Sequence, residues 1–389
     1  MERFAMLPRQ MAEVIESLRR TVPIITILGP RQSGKTTLAK ALFPHKPYIN
    51  FEQLDVRMQA LEDPNGFLHR FPHGAVFDEI QEVSTLLSYL LPLVDEIGKN
   101  DLFVLTGSHQ TKVKEGISQS LAGRTAILKL YPLSLQELGL ADRTIEEAIL
   151  FGGYPRAQNL SFPLTNLFSS YYQTYVERDI SSLSRIHNLN QFGLFVRLIA
   201  GRIGQLIHLE QIGGEIGISA STVREWLSLL EASHILFRLH PYHENFGKRL
   251  IKSPKIYFTD TGLACYLLGI ETPEQLQRDP LRGLLFENLL ILELVKARYN
   301  QGLDLNLYFY RDSQGKEVDV IYQRGRELIP IEIKSSRTYN TAFLETLFLF
   351  HTLAKERAPK SFLIYGGADG QVQTTTLLSW QHAAEALNV

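Results

Sequence analysis

Glycine, lysine and threonine residues lie close together near the N-terminus, after the apolar run 23–28 and before the helix-like segment 37–42. Gly29 and Gly34 bound this stretch and give the spacing G-x-x-x-x-G-K-T. Glycines let backbone N–H groups approach an anion closely, and the N-terminus of a helix adds partial positive charge. The spacing, in this strand, loop and helix context, is that of a Walker A phosphate loop. The predicted nucleotide-binding residues are Gly29, Pro30, Arg31, Gln32, Ser33, Gly34, Lys35, Thr36 and Thr37.

Two adjacent carboxylates, Asp78 and Glu79, end another apolar run, 74–77. An enzyme with a phosphate loop needs one carboxylate to hold Mg²⁺ through its water shell and a second to polarise the attacking water. Lys35 would contact the β- and γ-phosphates, and the Thr36 hydroxyl would bind Mg²⁺. The sequence therefore predicts ATP and Mg²⁺ as cofactors, with Asp78 in the metal role and Glu79 as the general base.

A further set of charged residues lies near the C-terminus. Isoleucines alternate with other residues over 329–333, so the strand period places Glu332 and Lys334 on the face opposite the isoleucines. If 325–326 forms a two-residue hairpin turn, Asp319 falls opposite Glu332 on the neighbouring strand. The two carboxylates would then be close enough to share a divalent cation, with Lys334 beside them.

Short apolar runs alternate with helix-like segments in the first part of the chain, which predicts an α/β fold with a parallel sheet. The C-terminal ends of parallel strands meet at one edge, where ligands bind. Thr106 or Ser108 can therefore reach the γ-phosphate or the attacking water, and a capped turn is the alternative role for both. The predicted strands lie at 23–28, 48–51, 74–79 and 102–108.

Helical patterns follow the predicted sheet. Residues 209–216 and 220–231 read as two helices joined by a tight turn, and 235–239 and 255–258 read as strands joined by a polar loop. This order predicts a winged helix-turn-helix. DNA binding and packing between domains both remain open, because the second helix and the loop offer few basic groups. The residues they offer are Ser219, Ser221, Thr222, Arg224, Lys248, Arg249 and Lys252.

Several motifs together resemble a family of prokaryotic AAA-type ATPases whose C-terminal region is often nuclease-like. The resemblance implies a P-loop NTPase (AAA-like) parallel sheet followed by a helical lid. It implies that Ser108 is the first sensor and that Arg124 is an arginine finger, supplied within the chain or by a neighbouring subunit of a homo-oligomer. The motifs are Gly29 to Leu38, Phe77 to Gln81, Leu105 to Ser108, Leu121 to Arg124, Tyr131 to Ser134 and Gly152 to Pro155.

Asp319, Glu332 and Lys334 resemble the acid, acid-x-lysine set of the PD-(D/E)xK nucleases. In those enzymes the carboxylates hold Mg²⁺ and the lysine orients or activates water. The resemblance implies that Glu287 is a further metal ligand, that Lys334 is catalytic, and that a second Mg²⁺ or Mn²⁺ binds. Val318 stands where that family has proline. The alternative is an inactive cross-strand charge cluster. Asp304, Asp312 and Glu317 are expected to be surface charges.

The motifs predict four regions: a P-loop ATPase core over 1–130, a helical lid over 131–188, a winged helix-turn-helix over 189–260, and an α/β restriction-endonuclease-like domain over 261–389. The leading hypothesis is an ATP-hydrolysing AAA-type ATPase coupled to a metal-dependent nuclease-like module that acts on DNA or RNA. The alternative is an ATP-dependent switch that binds protein or DNA and has an inactive C-terminal module.

Composition limits these functions. Lys and Arg number 40 and Asp and Glu 41, so a net charge of −1 gives no global attraction to nucleic acid and a local patch is required. Cys265 is the only cysteine, which excludes intramolecular disulfides and a cysteine-rich zinc site. Long apolar runs and a signal-like N-terminus are absent from the sequence. We therefore expect a cytoplasmic protein with no membrane partner.

Overall fold

The computed structural model describes residues 7–109, 121–139, 143–158, 163–180, 186, 188–243 and 252–388, with the backbone alone at 178–179. The chain divides into two compact units. Unit 1 comprises Met1–Leu133, Ala232–His234 and Arg298–Leu303, and unit 2 comprises Ser134–Glu231, Ile235–Ala297 and Asp304–Val389.

Unit 1 contains a parallel sheet. Its three inner strands, 24–28, 76–78 and 103–107, are buried along their whole length, which is typical of a sheet covered on both faces. The order across the sheet is β2-β3-β4-β1-β5, so β4 lies between β1 and β3. The strands are β1 (Ile24–Leu28), β2 (Tyr48–Asn50), β3 (Val76–Asp78), β4 (Phe103–Gly107) and β5 (Thr125–Lys129).

Helices pack on both faces of this sheet. One face buries Phe51, Phe67, Phe77 and Phe103, and the other buries residues that include Met11. Neighbouring residues of β1 point to opposite faces, so both cores draw on the same strand. The helices are α1 (Met11–Leu18), α2 (Lys35–Leu42), α3 (Leu54–Glu62), α4 (Pro64–His69) and α5 (Leu87–Ile97), with a 3₁₀ segment at Ile80–Leu86.

Unit 2 begins with a helical region, as the sequence predicts. Ser134 and Thr144 each cap a helix through a capping box with a glutamate three residues on. The helices are α6 (Leu135–Leu138), α7 (Ile145–Phe151), α8 (Leu164–Tyr171), α9 (Leu189–Ala200), α10 (Leu209–Ile216), α11 (Ala220–Ala232), α12 (Thr261–Leu268), α13 (Pro273–Arg278), α14 (Arg282–Asn300) and α15 (Glu345–Ala354). Shorter turns lie at Pro155–Gln158, Thr341–Leu344, Lys355–Arg357 and Trp380–Leu387, and a π-helix lies at Tyr172–Ile180.

The strands of unit 2 form a hairpin and a mixed sheet. The hairpin pairs β6 (Leu236–Leu239) with β7 (Lys255–Phe258) in antiparallel fashion. The mixed sheet has the order β12-β13-β11-β10-β9-β8, with β8, β9 and β10 antiparallel and β10, β11 and β13 parallel. Its strands are β8 (Leu307–Arg311), β9 (Glu317–Arg324), β10 (Glu327–Lys334), β11 (Ser361–Tyr365), β12 (Gly370–Val372) and β13 (Thr375–Ser379).

Within the described ranges, no helix combines the length and apolar character that crossing a membrane requires.

Candidate functional site

The predicted phosphate loop connects β1 to α2. Gly34 has a φ of +96° immediately before Lys35, the first residue of the helix. A side chain at Gly29 would place its Cβ 2.1 Å from the carbonyl oxygen of Leu130. Glycine is therefore required at both positions, by the left-handed backbone at one and by the close approach of backbone at the other.

Lys35 lies inside this loop. Its Nζ donates hydrogen bonds to the carbonyl oxygens of Gly29, at 3.0 Å, and Pro30, at 2.9 Å. Burial lowers the pKa of the ammonium, although the carboxylates of Glu79 and Asp78 act in the opposite direction. An ammonium carries three donors, so one remains for a phosphate oxygen. The loop fits a nucleotide phosphate.

The other loop residues surround Lys35. Ser33 is buried, and its Oγ makes no hydrogen bond within the described part of the chain. Arg31 pairs with Glu52 at 2.6 Å, and Gln32 and Thr37 are exposed. These side chains line the rim of the loop, where a bound nucleotide would extend.

Arg9 stabilises the phosphate loop through hydrogen bonds, a role that the sequence motifs did not reveal. Its guanidinium is buried and donates to the carbonyl oxygens of Ser33, at 2.9 Å, and Tyr131, at 2.6 Å. A hydrogen bond from a charged donor to a buried carbonyl stabilises the loop conformation. A lone arginine two residues before α1 gives no sequence signal of this contact.

Hydroxyl groups surround Asp78 at the end of β3. The Thr36 Oγ1 lies 3.0 Å from both carboxylate oxygens, and the Tyr48 hydroxyl donates to one of them at 2.5 Å. Thr106, from β4, also donates to Asp78. Burial, together with the Asp78 carboxylate, raises the pKa of the Tyr48 phenol. Thr36 and Asp78 are thus adjacent, as a Mg²⁺ site beside a nucleotide requires.

Glu79 follows with a left-handed backbone, at φ +56°. Its carboxylate accepts hydrogen bonds from the Ser108 hydroxyl, at 2.9 Å, and from the side-chain amide of Gln81. Burial opposes ionisation, but Lys35 and these two hydrogen bonds outweigh it and lower the pKa of Glu79. Ser108 reaches Glu79 because β4 lies beside β3, and Gln81 is a partner that the motif did not predict.

Arg124 lies at the N-terminal end of the strands, opposite the end that carries the phosphate loop. Its carbonyl oxygen accepts from the N–H of Ile24, the first residue of β1, whereas the phosphate loop follows the last residue of that strand. Five residues of strand separate the two edges by about 16 Å. The Arg124 side chain pairs with Asp95 at 2.6 Å and is exposed. It therefore does not reach the phosphate loop of its own chain.

The C-terminal hairpin has the register that the sequence predicts. Glu327 pairs with Arg324 across 325–326, and Ile331 pairs with Val320. The next pair in this register is Glu332 and Asp319. The two-residue turn is therefore confirmed, and it brings the two predicted metal ligands to adjacent strands.

Lys334 joins these two carboxylates. Its Nζ bonds to Glu332 and lies 3.8 Å from Asp319, which also accepts from the backbone N–H of Ile333 at 2.8 Å. Burial and the Asp319 carboxylate raise the pKa of Glu332 to about 8, against the opposing effects of Lys334 and Thr346. Asp319, Glu332 and Lys334 thus meet as the sequence predicts, with the lysine bound to both acids.

Glu287, from α14, has a different cation beside it. Lys255, at the start of β7, lies 3.2 Å from Glu287 and 2.5 Å from Glu317, and its side chain is 3% exposed. Tyr257 also donates to Glu287, at 2.5 Å. The expectation of surface charge was wrong for Glu317, which forms this ion pair, and for Asp312, which is buried. Long-range packing supplies partners that spacing does not reveal.

The described residues contain no group of three or more His, Cys, Asp or Glu side chains placed to hold a metal ion. A Mg²⁺ at Thr36 and Asp78 does not need such a group, because waters and nucleotide phosphates complete its coordination. Lys255 and Lys334 lie beside the C-terminal carboxylates and supply positive charge there.

The helix pair α10 and α11 presents little positive charge. Ser219, Ser221 and Arg224 are exposed at the start of α11, where the Ser219 hydroxyl accepts from the Thr222 N–H at 3.1 Å. Ser219 is therefore the helix cap. Lys248 and Arg249 lie outside the described residues.

Family models match three parts of the chain. Residues 21–139 match the family described as "AAA domain". This range includes the phosphate loop and the Asp78 and Glu79 carboxylates. The region is thus an AAA-type ATPase-like domain. Residues 142–274 and 282–381 match two families described as domains of unknown function, DUF8612 and DUF4143.

Curated relatives extend over most of the chain. Uncharacterized proteins of Mycobacterium tuberculosis and Mycobacterium bovis are each 30% identical over 332 residues, which is 82% of this chain and 73% of theirs. An uncharacterized protein of Haemophilus influenzae is 23% identical over 354 residues, 82% of this chain and 84% of its own. The chain belongs to the family of these mycobacterial proteins.

Two solved structures are similar at a lower level. A signal transduction ATPase with a tetratricopeptide repeat sensor from Pyrococcus horikoshii is 15% identical, with a TM-score of 0.28 over 75% of this chain and 48% of its own. AMPPCP-bound DnaA from Aquifex aeolicus is 14% identical, with a TM-score of 0.29 over 57% of this chain and 85% of its own. This chain spans about half the length of the first.

Proposed function

We propose that the chain binds ATP with Mg²⁺ at the phosphate loop and hydrolyses it. The observation that carries this proposal is the contact of the Thr36 hydroxyl with both oxygens of Asp78, at 3.0 Å, beside a buried Lys35. The Thr36 hydroxyl would bind Mg²⁺, the Asp78 carboxylate would hold the ion through its water shell, and the lysine supplies positive charge for the phosphates.

The residues have distinct roles in this proposal. Bound Mg²⁺ would neutralise charge on the β- and γ-phosphates. Lys35 binds the phosphates and Arg9 holds the loop that carries it. Glu79 is ionised at neutral pH because its pKa is lowered, so it can accept a proton from the attacking water once it turns from Ser108 and Gln81.

Arg124 acts between subunits in this proposal. It lies at the sheet edge away from its own phosphate loop, and it is exposed, so a neighbouring copy can receive it. Exposed ion pairs contribute little to stability, so exchange of Asp95 for a phosphate costs little. The active form is then a homo-oligomer in which each ATP site is completed by a second chain.

The C-terminal half has two candidate roles. The ion pairs of Lys255 with Glu287 and Glu317 favour an ATP-dependent switch that binds protein or DNA with an inactive C-terminal module. The meeting of Asp319, Glu332 and Lys334 at one place supports a metal-dependent nuclease as the second candidate. Helices α10 and α11 followed by the β6–β7 hairpin support a winged helix-turn-helix in either role.

A pair of variants tests the ATPase. Lys35→Ala should abolish binding of a fluorescent ATP analogue, whereas Glu79→Gln should bind the analogue normally and lose phosphate release by on the order of 10²-fold or more, because the amide cannot accept the proton. Unchanged phosphate release in Glu79→Gln would remove the base assignment. Normal binding by Lys35→Ala would remove the loop assignment.

Cleavage assays separate the two candidate roles of the C-terminal half. Wild-type protein with ATP and Mn²⁺ should be offered DNA and RNA in single- and double-stranded forms. Cleavage that disappears in Asp319→Ala, Glu332→Ala and Lys334→Ala would support the nuclease. If the protein hydrolyses ATP but cleaves none of these nucleic acids, the ATP-dependent switch is the remaining candidate role.

A further inference from the structure

The C-terminal carboxylates form a cluster with internal cations. Glu287, Glu317, Asp319 and Glu332 supply the acidic groups, and Lys255, Lys334 and Arg311 supply the basic ones. All of these residues belong to unit 2. The cluster is therefore close to electrically balanced among the side chains that the structure describes.

Lys255 is the most deeply buried cation of this set. Its side chain is 3% exposed, against 35% for Lys334 and 37% for Arg311. Its Nζ contacts Glu287 and Glu317, and the Asp319 carboxylate adds to the field that favours its charge. A buried ammonium with matched carboxylates is stable, whereas either partner alone would be an uncompensated buried charge.

The ammonium also takes the space of a divalent cation. A hard cation binds carboxylate oxygens at about 2.0–2.6 Å. An ion on the Glu287 oxygen that contacts Lys255 would share that oxygen with an ammonium 3.2 Å away from it. Since the cluster is already nearly balanced, a divalent ion added beside Lys255 would make it net positive. An ion bound through that oxygen would lie beside the ammonium, and like charges at such a distance repel each other.

We infer that Lys255 is the resident cation of this cluster and that a divalent cation binds Glu287 and Asp319 only when the Lys255 ammonium is removed. This inference rests on the proposed assignment of Glu287 and Asp319 as acids of a nuclease-like module. Lys255 begins β7, so the hairpin after the helix pair α10 and α11 carries the cation that fills the cluster.

Titration of nucleotide-free protein with Mn²⁺ alone, followed by electron paramagnetic resonance, tests the inference. Without nucleotide, the phosphate loop lacks the oxygens that complete its own Mg²⁺ site. Lys255→Ala should bind one more Mn²⁺ per chain than wild type, with an affinity at least about tenfold higher than any binding that wild type shows at this cluster. Lys255→Arg, the matched control, keeps the charge and should behave as wild type.

The location of the gained ion is checked with Lys255→Ala combined with Asp319→Ala, which should lose it. Equal Mn²⁺ binding by wild type and folded Lys255→Ala would overturn the inference. Cleavage is a separate readout. Gained Mn²⁺ without any cleavage would keep the inference and remove the nuclease candidate, whereas cleavage by wild type with Mn²⁺ would contradict the inference.

Thermal unfolding keeps the inference testable if Lys255→Ala does not fold. Lys255→Met keeps the volume and should lower the unfolding temperature, because buried carboxylates lose their cation. Adding Glu287→Gln to Lys255→Met removes one of those carboxylate charges and should recover part of the loss. An unfolding temperature of the double variant no higher than that of Lys255→Met would show that Lys255 is not the counter-ion of Glu287.

Discussion

Two buried lysines of this chain carry opposite shifts of pKa. Lys35 donates to backbone carbonyls of the phosphate loop, and burial lowers its pKa. Lys255 is also buried, but neighbouring carboxylates, that of Glu287 foremost, outweigh burial and raise its pKa. The buried charge of the Lys35 ammonium is poorly compensated by its surroundings. The Lys255 ammonium lies among carboxylates that compensate its charge. A poorly matched buried charge indicates a binding site, whereas a matched one indicates structure.

The carboxylates of the two regions differ in the complementary way. Asp78 is held by the hydroxyls of Thr36 and Tyr48, which are uncharged donors. Glu332 is held by Lys334, which is a cation. A carboxylate surrounded by hydroxyls can attract a metal cation. A carboxylate bound to lysine already has a cation beside it. The difference explains why we assign Mg²⁺ to unit 1 and no resident metal to unit 2.

The largest expected effect tests whether the ATP site is completed from outside the chain. Arg124→Ala should lower ATP turnover by on the order of 10³-fold or more while leaving ATP affinity near wild type. Turnover by phosphate release and affinity by a fluorescent ATP analogue measure the two quantities. Arg20→Ala, which removes an exposed arginine elsewhere in unit 1, is the matched control.

Mixing experiments sharpen this test. Arg124→Ala retains Glu79, and Glu79→Gln retains Arg124, so a mixed oligomer contains interfaces with both groups intact. Phosphate release from the mixture should exceed the sum of the separate proteins. A mixture that gives only that sum, or a wild-type rate per chain that stays constant on dilution through dissociation, would contradict action between subunits.

The second effect compares the two lysines in ligand-free protein. Lys255→Met should lower the free energy of unfolding by about 3–5 kcal/mol, because it leaves buried carboxylates without their cation. Lys35→Met should leave it unchanged or raise it, since it removes a charge whose burial is poorly compensated. Chemical denaturation of both variants measures the difference. Equal destabilisation would show that the two ammonium groups are matched to the same degree.

The third effect is the response to ATP. Wild type should gain about 2.7 kcal/mol of stability when ATP is at 100 times its Kd. Lys35→Ala should lose this gain, and Lys255→Ala should keep it at the temperature where that variant is folded. Differential scanning fluorimetry with ATP and Mg²⁺ gives both results. Loss of the gain in Lys255→Ala would mean that the cluster takes part in nucleotide binding.

The smallest effect concerns the hydroxyls around Asp78. The Tyr48 hydroxyl competes with hydrated Mg²⁺ for a carboxylate oxygen, so Tyr48→Phe should lower the Mg²⁺ concentration for half-maximal turnover by no more than about tenfold. Tyr89→Phe, at an exposed tyrosine, is the control. A raised Mg²⁺ requirement would instead show that Tyr48 orients Asp78 for the metal.

Local spacing was enough to predict several features of both regions. The phosphate loop lies between a strand and a helix as its glycines and flanking apolar run indicate. The turn at 325–326 sets the pairing of Asp319 with Glu332, because a two-residue hairpin fixes the register of its strands. The roles of these residues stay predictions, but their relative positions follow from segments of a few residues.

Other contacts depend on which elements become neighbours. The strand order places β4 beside β3, and this brings Ser108 to Glu79. Arg9 reaches the phosphate loop from a segment before α1, and Tyr48 reaches Asp78 from β2. The sequence pointed to Ser108, but Arg9 and Tyr48 are lone polar residues whose neighbours in the sequence give no signal of such a role.

The sequence by itself determined which groups can bind phosphate and which carboxylates share a strand pair, because periodicity and turn chemistry act over a few residues. Tertiary structure alone decided whether those groups are matched or unmatched. Lys255 meets Glu287 and Glu317 through packing between segments distant in the chain, and Arg124 is carried to the far edge of its sheet by the direction of β5. Charge matching depends on distances between such segments, and spacing along the chain does not encode them.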